Sequence, residues 1–292
     1  IDWSKVELGR LSIALTEGDS PRIAEETPGA LKSRAAVQTA YAQADYQGAW
    51  DAWSATQMEP ANLVELSVFA QVLAYKSDER ALGYAERLRE YFPGEADAVL
   101  AILRWQEDRL EEAATASEAA FTAWRKDPWA LPGVPQRLLV IAQALAREDK
   151  DPAHPLGLRL HRALSEPFAV QIRNEQRLIV TTQLAQMLDS KPLLLAAVQA
   201  WEPHVPWSNA FLSLRAGIYR NARDSRAALA DAELDLFLAN ESLPKARVEP
   251  GTGPTRGGSP PTAPVGPEPK QPTTEFRQEA PDTTAAVSTS AK

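Results

Sequence analysis

The chain of 292 residues contains no cysteine. This absence excludes disulfide bonds, zinc–thiolate sites and thiol catalysis. No apolar run approaches the roughly 18 residues that a membrane-spanning helix needs, so we expect no direct insertion into a bilayer. Neither absence decides the compartment, which stays open with an extracytoplasmic location in a bacterial envelope slightly favoured over a cytoplasmic one.

Motifs of catalysis and cofactor binding are also lacking. The sequence has no glycine-rich dinucleotide or phosphate loop, no G-x-S-x-G elbow and no H-E-x-x-H pair. Its three histidines, His154, His161 and His204, are not accompanied by carboxylates at metal-ligand spacing. We therefore expect a protein that is not an enzyme, with no catalytic residue, no cofactor and no metal site.

A basic surface is missing as well. The formal net charge is −8, and residues 245–292 contain six basic against five acidic residues, which leaves about −9 on the remainder. An acidic body without a basic stripe argues against nucleic acid and anionic membranes as partners.

Apolar residues at helical spacing are abundant, most clearly in residues 209–238. Phe211, Leu214 and Ile218 share one face of a helix, and a polar break follows at 221–225. A second helix carries Leu229, Ala232 and Leu236 on one face. Because neither helix can bury its stripe alone, we expect each to pack on the other and on a neighbouring pair.

Alanines near the start of each second helix recur at a fixed spacing. The spacing is 32 residues between Ala49, Ala81 and Ala113, and again between Ala196 and Ala228. The next comparable alanine after Ala113 lies 50 residues on, which implies an insertion of about 18 residues near the proline-rich stretch 128–135. A period in the low thirties is typical of a helical-hairpin solenoid. The alternative is an irregular all-α bundle with a chance period.

The same stretches resemble the tetratricopeptide repeat (TPR). The resemblance lies in the sequence pattern Arg215-Ala216-x-x-Tyr219, Asp224 and Ala228-Leu229-x-Asp231, in 44–49 (ADYQGA) and 108–113 (DRLEEA), and in Pro93 placed 12 residues after Ala81. Ala232 and Asp235 depart from the family pattern. The resemblance covers about residues 33–240 and implies an all-α, right-handed α-solenoid of about six TPR-like helical hairpins, acting as a non-catalytic protein–protein interaction module or scaffold.

The chain accordingly divides into three parts. Residues 1–32 form an N-terminal cap or linker, in which Leu8, Leu11 and Leu15 suit a short helix while the alternation of Leu11, Ile13 and Leu15 suits a strand. Residues 33–243 form the repeat domain. The predicted hairpins are 33–60, 62–93, 95–125, 136–164, 168–201 and 207–240.

The family binds peptide segments through the first helix of each repeat. Carried over position by position, the resemblance implies a groove that binds a protein or peptide partner. Its residues are Arg34, Gln38 and Tyr41 in the first repeat, Ser67, Gln71 and Tyr75 in the second, and Ser213, Arg220 and Asn221 in the sixth.

A second resemblance concerns residues 15–31. The stretch 15–23 (LTEGDSPRI) is similar to the end of the methyltransferase-like domain of bacterial spermidine-synthase-like proteins, some of which continue into helical repeats. The chain begins with Ile1, which is either a processed terminus or a fragment boundary. The alternatives to a free scaffold are therefore an accessory C-terminal repeat domain of such an enzyme, whose catalytic part lies upstream, and a structural subunit of a larger envelope assembly.

The C-terminal segment differs in composition from the rest. Residues 245–292 hold nine of the 23 prolines and no cluster of aliphatic residues, so we expect 244–292 to be a disordered tail that folding does not require. The alternative is that its single aromatic residue, Phe276, docks into a groove as part of the segment 274–277.

Overall fold

The computed structural model describes residues 29–131, 133–170 and 174–241. Within these ranges the chain forms twelve α-helices and no strand, which confirms the all-α class for this part of the chain. The helices are α1 Gly29–Ala42, α2 Tyr46–Ser54, α3 Leu63–Tyr75, α4 Arg80–Arg89, α5 Pro93–Gln106, α6 Leu110–Trp124, α7 Val134–Glu148, α8 Pro155–Ala163, α9 Asn174–Met187, α10 Lys191–Gln199, α11 Asn209–Ala222 and α12 Ala227–Glu241.

These helices fall into the six pairs that the sequence predicts, from α1–α2 to α11–α12. Most helices make their main contacts with neighbours along the chain, whereas α7 and α9 contact each other most and α8 contacts α6 most. The first helices α1, α3, α5, α7 and α9 also pack on one another in that order. None of the helices in the described ranges is long and apolar enough to cross a membrane. Most of the predicted cap (residues 1–28), most of the spermidine-synthase-like stretch and the predicted tail lie outside the described residues, while residues 29–32 of the predicted cap belong to α1.

The turn between the two helices of a pair has a recurring backbone conformation. Four of these turns share two features. A non-glycine residue has positive φ, and the N–H of the residue after it donates to a carbonyl five residues earlier, as Asp45 does to Ala40 at 2.9 Å. Each left-handed residue costs about 1 kcal/mol or more, so the hydrogen bonds and the packing of both helices must over-determine the turn. The four residues are Ala44, Ser77, Asp108 and Arg223.

The 32-residue spacing marks buried positions only in the first three pairs. Ala49, Ala81 and Ala113 are completely buried, as expected of small residues where two helices approach closely. Ala196 and Ala228 are exposed instead. The matching spacing at the C-terminal end is therefore not a repeat of packing positions.

The last pair departs from the predicted faces. In α11 the predicted stripe is only half-buried, and in α12 Leu229, Ala232 and Leu236 are all exposed. A polar network, which apolar periodicity does not reveal, lies between these helices. The Arg215 guanidinium is buried, pairs with Glu233 and contacts Glu202 at 2.8 Å. The residues that are fully buried there are Leu212, Arg215, Ala216, Tyr219 and Ala230.

One large hydrophobic core extends from α1 to α9. It includes Trp53, Phe121 and Trp124 as buried residues, with Trp50 and Trp105 packed against its edge, so the tryptophans of the predicted helices serve packing. A separate small cluster of Val198, Ala216, Tyr219 and Ala230 holds the C-terminal end together.

The proline-rich linker before α7 is tied to α5 by a buried carboxylate. Glu95 is completely buried and accepts a hydrogen bond from the backbone N–H of Leu131. Burial raises the pKa of Glu95, and the bond from Leu131 acts in the opposite direction. Gly133 has φ 82°, a conformation that favours glycine, and α7 begins directly after it.

Candidate functional site

The predicted groove residues of the first pair are engaged by a buried glutamate. Glu65, in the first turn of α3, is completely buried. Its carboxylate pairs with Arg34 and accepts hydrogen bonds from Gln38 Nε2 at 2.9 Å and from the backbone N–H of Ala61 at 2.8 Å. Arg34 also donates to the Glu59 carbonyl at 2.9 Å. Arg34 and Gln38 are thus held against α3 and serve the contact between the first two pairs.

Tyr41 is covered by an arginine that lies 96 residues further along the chain. The guanidinium carbon of Arg137, in the first turn of α7, lies 3.9 Å from the centre of the Tyr41 ring, and Nη2 donates to the Tyr41 carbonyl at 3.2 Å. Burial raises the pKa of the Tyr41 hydroxyl, although the Arg137 charge acts in the opposite direction. The contact joins α1 to α7 across the row of first helices and seals the face between them.

The predicted groove residues of the second pair also make contacts within the chain. Gln71 is completely buried and donates to the Ser67 hydroxyl at 3.0 Å and to the Ser67 carbonyl at 3.2 Å. Tyr75 stacks on Tyr46 with ring centres 3.6 Å apart. In the first two pairs, therefore, the structure brings the predicted residues together and engages them in contacts inside the chain, although the Oε1 atoms of Gln38 and Gln71 are buried with no hydrogen-bond partner in the described ranges.

The predicted residues of the sixth pair lie on the surface of α11. Ser213 is exposed and donates to Asn209 at 3.0 Å, one turn earlier. Arg220 and Asn221 are exposed near the end of the helix, and Arg220 makes a long ion pair of 3.5 Å with Asp231. These side chains belong to a different surface from those on α1 and α3, since α11 packs mainly on α10 and α12.

The first helices α7 and α9 carry a surface that the sequence reasoning missed. Val140 on α7 is 63% exposed and Ile179 on α9 is 37% exposed, although both are aliphatic. The amide of Gln143, one turn after Val140, donates to Gln183, one turn after Ile179. We call this surface the α7–α9 strip, and it consists of Gln136, Val140, Gln143, Gln176, Ile179 and Gln183.

A sequence signal for the strip exists. On each helix two glutamines seven residues apart flank an aliphatic residue, and the two patterns are 40 residues apart. Residues at i, i+3 or i+4, and i+7 share one helix face. The Oε1 atom of Gln136 is buried and has no hydrogen-bond partner within the described ranges, as is also true of Gln38 and Gln71 in the first two pairs.

Trp201 connects α9 to α11 beyond the strip. Its indole N–H donates to Thr182 on α9 at 3.3 Å, and its ring lies against Phe211 of α11 with centres 5.1 Å apart. The side chain fills the space between the two first helices. Trp201 and Phe211 therefore lie between α9 and the exposed face of α11.

An acidic cleft of about 640 Å³ opens where the turns of the third and fourth pairs meet. Many of its carboxylates have partners: Arg109 contacts Glu112 at 2.6 Å, and Asp149 accepts the N–H of Leu156 at 2.9 Å. Paired carboxylates of this kind are typical of an ordinary solvated surface. Its residues are Asp108, Arg109, Leu110, Glu111, Glu112, Glu148, Asp149, Lys150 and Leu156.

The histidines do not assemble a metal site in the part of the chain that is described. No group of three or more potential ligands comes together there. His154 precedes α8 with φ 46°, and His161 is 7% exposed inside that helix. Burial lowers the pKa of His161, so the neutral imidazole is favoured.

Comparisons of the chain with models of protein families, with curated proteins and with solved structures find no match. The site is therefore interpreted from its own geometry.

Proposed function

We propose that the chain is a non-catalytic binding module of the TPR-like class, built as a right-handed α-solenoid of six helical hairpins. Three observations support this architecture: the pairing of successive helices, the packing of first helices in a row, and the recurring left-handed turn. The buried alanines of the first three pairs mark equivalent positions in successive repeats. The TPR resemblance of the sequence and these features agree.

The surface that we assign to partner binding is the α7–α9 strip. The single observation that carries the proposal is the exposure of Val140 and Ile179 on two helices that pack on one another, each between two glutamines. Exposed apolar surface that polar residues border marks sites of association. Glutamine amides carry both donors and acceptors, which suits the backbone N–H and C=O groups of an extended peptide. The partner is thus a peptide segment of another protein.

The strip is preferable to the groove implied by the resemblance on α1 and α3. There, Gln38 and Gln71 are completely buried, and Tyr41 is covered by Arg137. A ligand would have to displace a buried ion pair and a cation–π contact, each of which contributes to stability. On the α7–α9 strip a ligand displaces only water and the Gln143–Gln183 pair.

Panning a random-peptide library against the full chain tests this assignment. Enriched peptides are synthesised, and their affinity is measured for the wild type and for the double variant V140E/I179E. We expect the double variant to bind at least about tenfold more weakly, a loss of about 1.4 kcal/mol, because two charges are placed on the apolar contact. Its helix content and melting temperature should stay unchanged, since both side chains are on the surface.

The matched control is L158E, which changes an aliphatic residue that is 43% exposed on the second helix α8. This variant should bind the peptides like the wild type. Peptides that bind V140E/I179E as tightly as the wild type would place the binding surface elsewhere and overturn the proposal.

A further inference from the structure

The outer face of the last helix carries large apolar residues. Leu229 and Leu236 are each 54% exposed, and Ala232 between them is exposed too. The three residues share one side of α12, while Ala230 on the opposite side is completely buried against α11. We call Leu229, Ala232 and Leu236 the α12 face.

A terminal helix of a stacked array normally needs a polar outer face to stay soluble. The α12 face has two leucines seven residues apart instead, separated by a small residue that permits close approach of another helix. Trp207 is a further exposed apolar side chain near this helix, since its ring is 51% exposed and lies 6.1 Å from Phe237. The arrangement suits a second helix with an apolar stripe.

The sequence after α12 does not predict such a helix. Residues 245–292 contain nine prolines and no aliphatic residues at helical spacing. Proline removes backbone donors and disrupts a helix interior. Residues 245–292 therefore do not supply the covering helix.

The acidic residues beside the α12 face favour a different protein over a second copy of this chain as the partner. One edge of the α12 face carries Asp231 and Asp235; Asp235 is exposed and has no ion pair in the described ranges, while Asp231 has only its long contact with Arg220. In an antiparallel pair of copies related by a two-fold axis, the same edges meet, so the aspartates of both copies lie side by side. In a parallel pair, this edge meets the edge of Glu233, whose carboxylate already pairs with Arg215. The antiparallel pair brings acidic residues together, which is destabilising, and in the parallel pair the aspartates gain no basic partner because α12 contains no lysine or arginine.

We propose that the α12 face binds an amphipathic helix of another protein, whose leucine-type stripe is bordered on one edge by lysine or arginine. Leu229 and Leu236 contact the stripe, and Asp231 and Asp235 face the basic edge. The binding mode is that of a helix laid along an apolar face, with the charges setting its orientation. This proposal is independent of the α7–α9 strip.

Two synthetic 18-residue helical peptides test it by fluorescence anisotropy on the full chain. They share a leucine stripe at i, i+3 and i+7 and differ only in one edge, which is lysine in the first peptide and glutamate in the second. We expect the lysine peptide to bind at least about tenfold more tightly. The preference should shrink as the salt concentration rises, because exposed charges are screened.

Variants locate the contact. L229S/L236S should abolish binding of the lysine peptide, while L158S on α8 should leave it unchanged. D231N/D235N should remove most of the preference between the two peptides, and this variant keeps the test valid if the double leucine variant fails to fold. Equal binding of both peptides, or binding that L229S/L236S retains, overturns the proposal. A dimer in light scattering that L229S/L236S dissolves also overturns it, because the occupant is then a second copy.

Discussion

The two halves of the row of first helices use their side chains in opposite ways. On α1 and α3, polar side chains are buried: Gln38, Glu65 and Gln71 are all completely inaccessible to solvent. On α7 and α9, apolar side chains are exposed, namely Val140 and Ile179. The N-terminal half thus uses these polar groups in contacts within the chain, and the C-terminal half leaves Val140 and Ile179 exposed.

The buried carboxylate of Glu65 contributes to the difference. Glu65 needs hydrogen-bond donors because an unpaired buried carboxylate is costly, and Arg34, Gln38 and the Ala61 N–H supply them. On α9 the buried charge is Arg177, which donates to the Leu164 carbonyl and to Asn174, while Gln143 pairs with Gln183. A side chain's polarity therefore does not tell which half is available for binding.

Removing the buried charge should produce the largest effect. In E65A, Arg34 and Gln38 lose their acceptor, so we expect a loss of about 3–5 kcal/mol in the free energy of unfolding, measured by urea denaturation. The control is E118A. Glu118 on α6 is a partly exposed partner of Arg159 on α8, and its removal should cost less than about 1 kcal/mol. Similar losses in both variants would show that Glu65 does not anchor α1 to α3.

Opening the sealed face should have an intermediate effect. R137A removes the contact with the Tyr41 ring and the hydrogen bond to its carbonyl, and we expect a loss of about 1–2 kcal/mol. Hydrogen exchange should accelerate at the end of α1 and stay unchanged in α9. R147A, an exposed change on the same helix, should remain within about 0.5 kcal/mol of the wild type. Faster exchange in α9 would contradict a local seal.

The smallest effect concerns pH. Burial lowers the pKa of His161 below its ordinary value of 6.5, so the unfolded chain binds this proton at a higher pH than the folded protein does. The stability is at its full value above pH 6.5 and is lost as the pH falls from 6.5 through the folded-state pKa, below which it changes no further. Relative to H161Q, the wild type should lose at most about 1.4 kcal/mol per pH unit between pH 6.5 and the folded-state pKa. Parallel stability curves for the two proteins would exclude this role.

Several features were predictable from local sequence. The apolar residues Leu66, Phe69 and Leu73 of α3 are buried as their spacing indicates. Asn62 caps α3 by accepting from the Glu65 N–H at 2.9 Å, a role that its residue type favours. The six helix pairs also lie close to the predicted hairpins. These outcomes depend on residues within a few turns of each other, so a local pattern suffices.

Other features depend on partners that are distant in the sequence, and they were not predicted. The polarity of Gln38 and Gln71 suggested a solvent-facing groove, yet packing between α1 and α3 buries both. The leucines of α12 suggested a buried stripe, yet the buried Arg215 network orients a different side of the helix toward α11. The contact between Tyr41 and Arg137 spans 96 residues, and no local signal marks it.

The sequence by itself determined the all-α class, the order of the helices and the residues that share each helix face, because helical periodicity and capping are local properties. Only the tertiary structure decided which face of each helix is buried. A side chain's burial depends on the elements that pack around it. Glu65, Arg215 and Arg137 each contact a partner on another helix, and these contacts influence which helix faces are buried more than the apolar periodicity does.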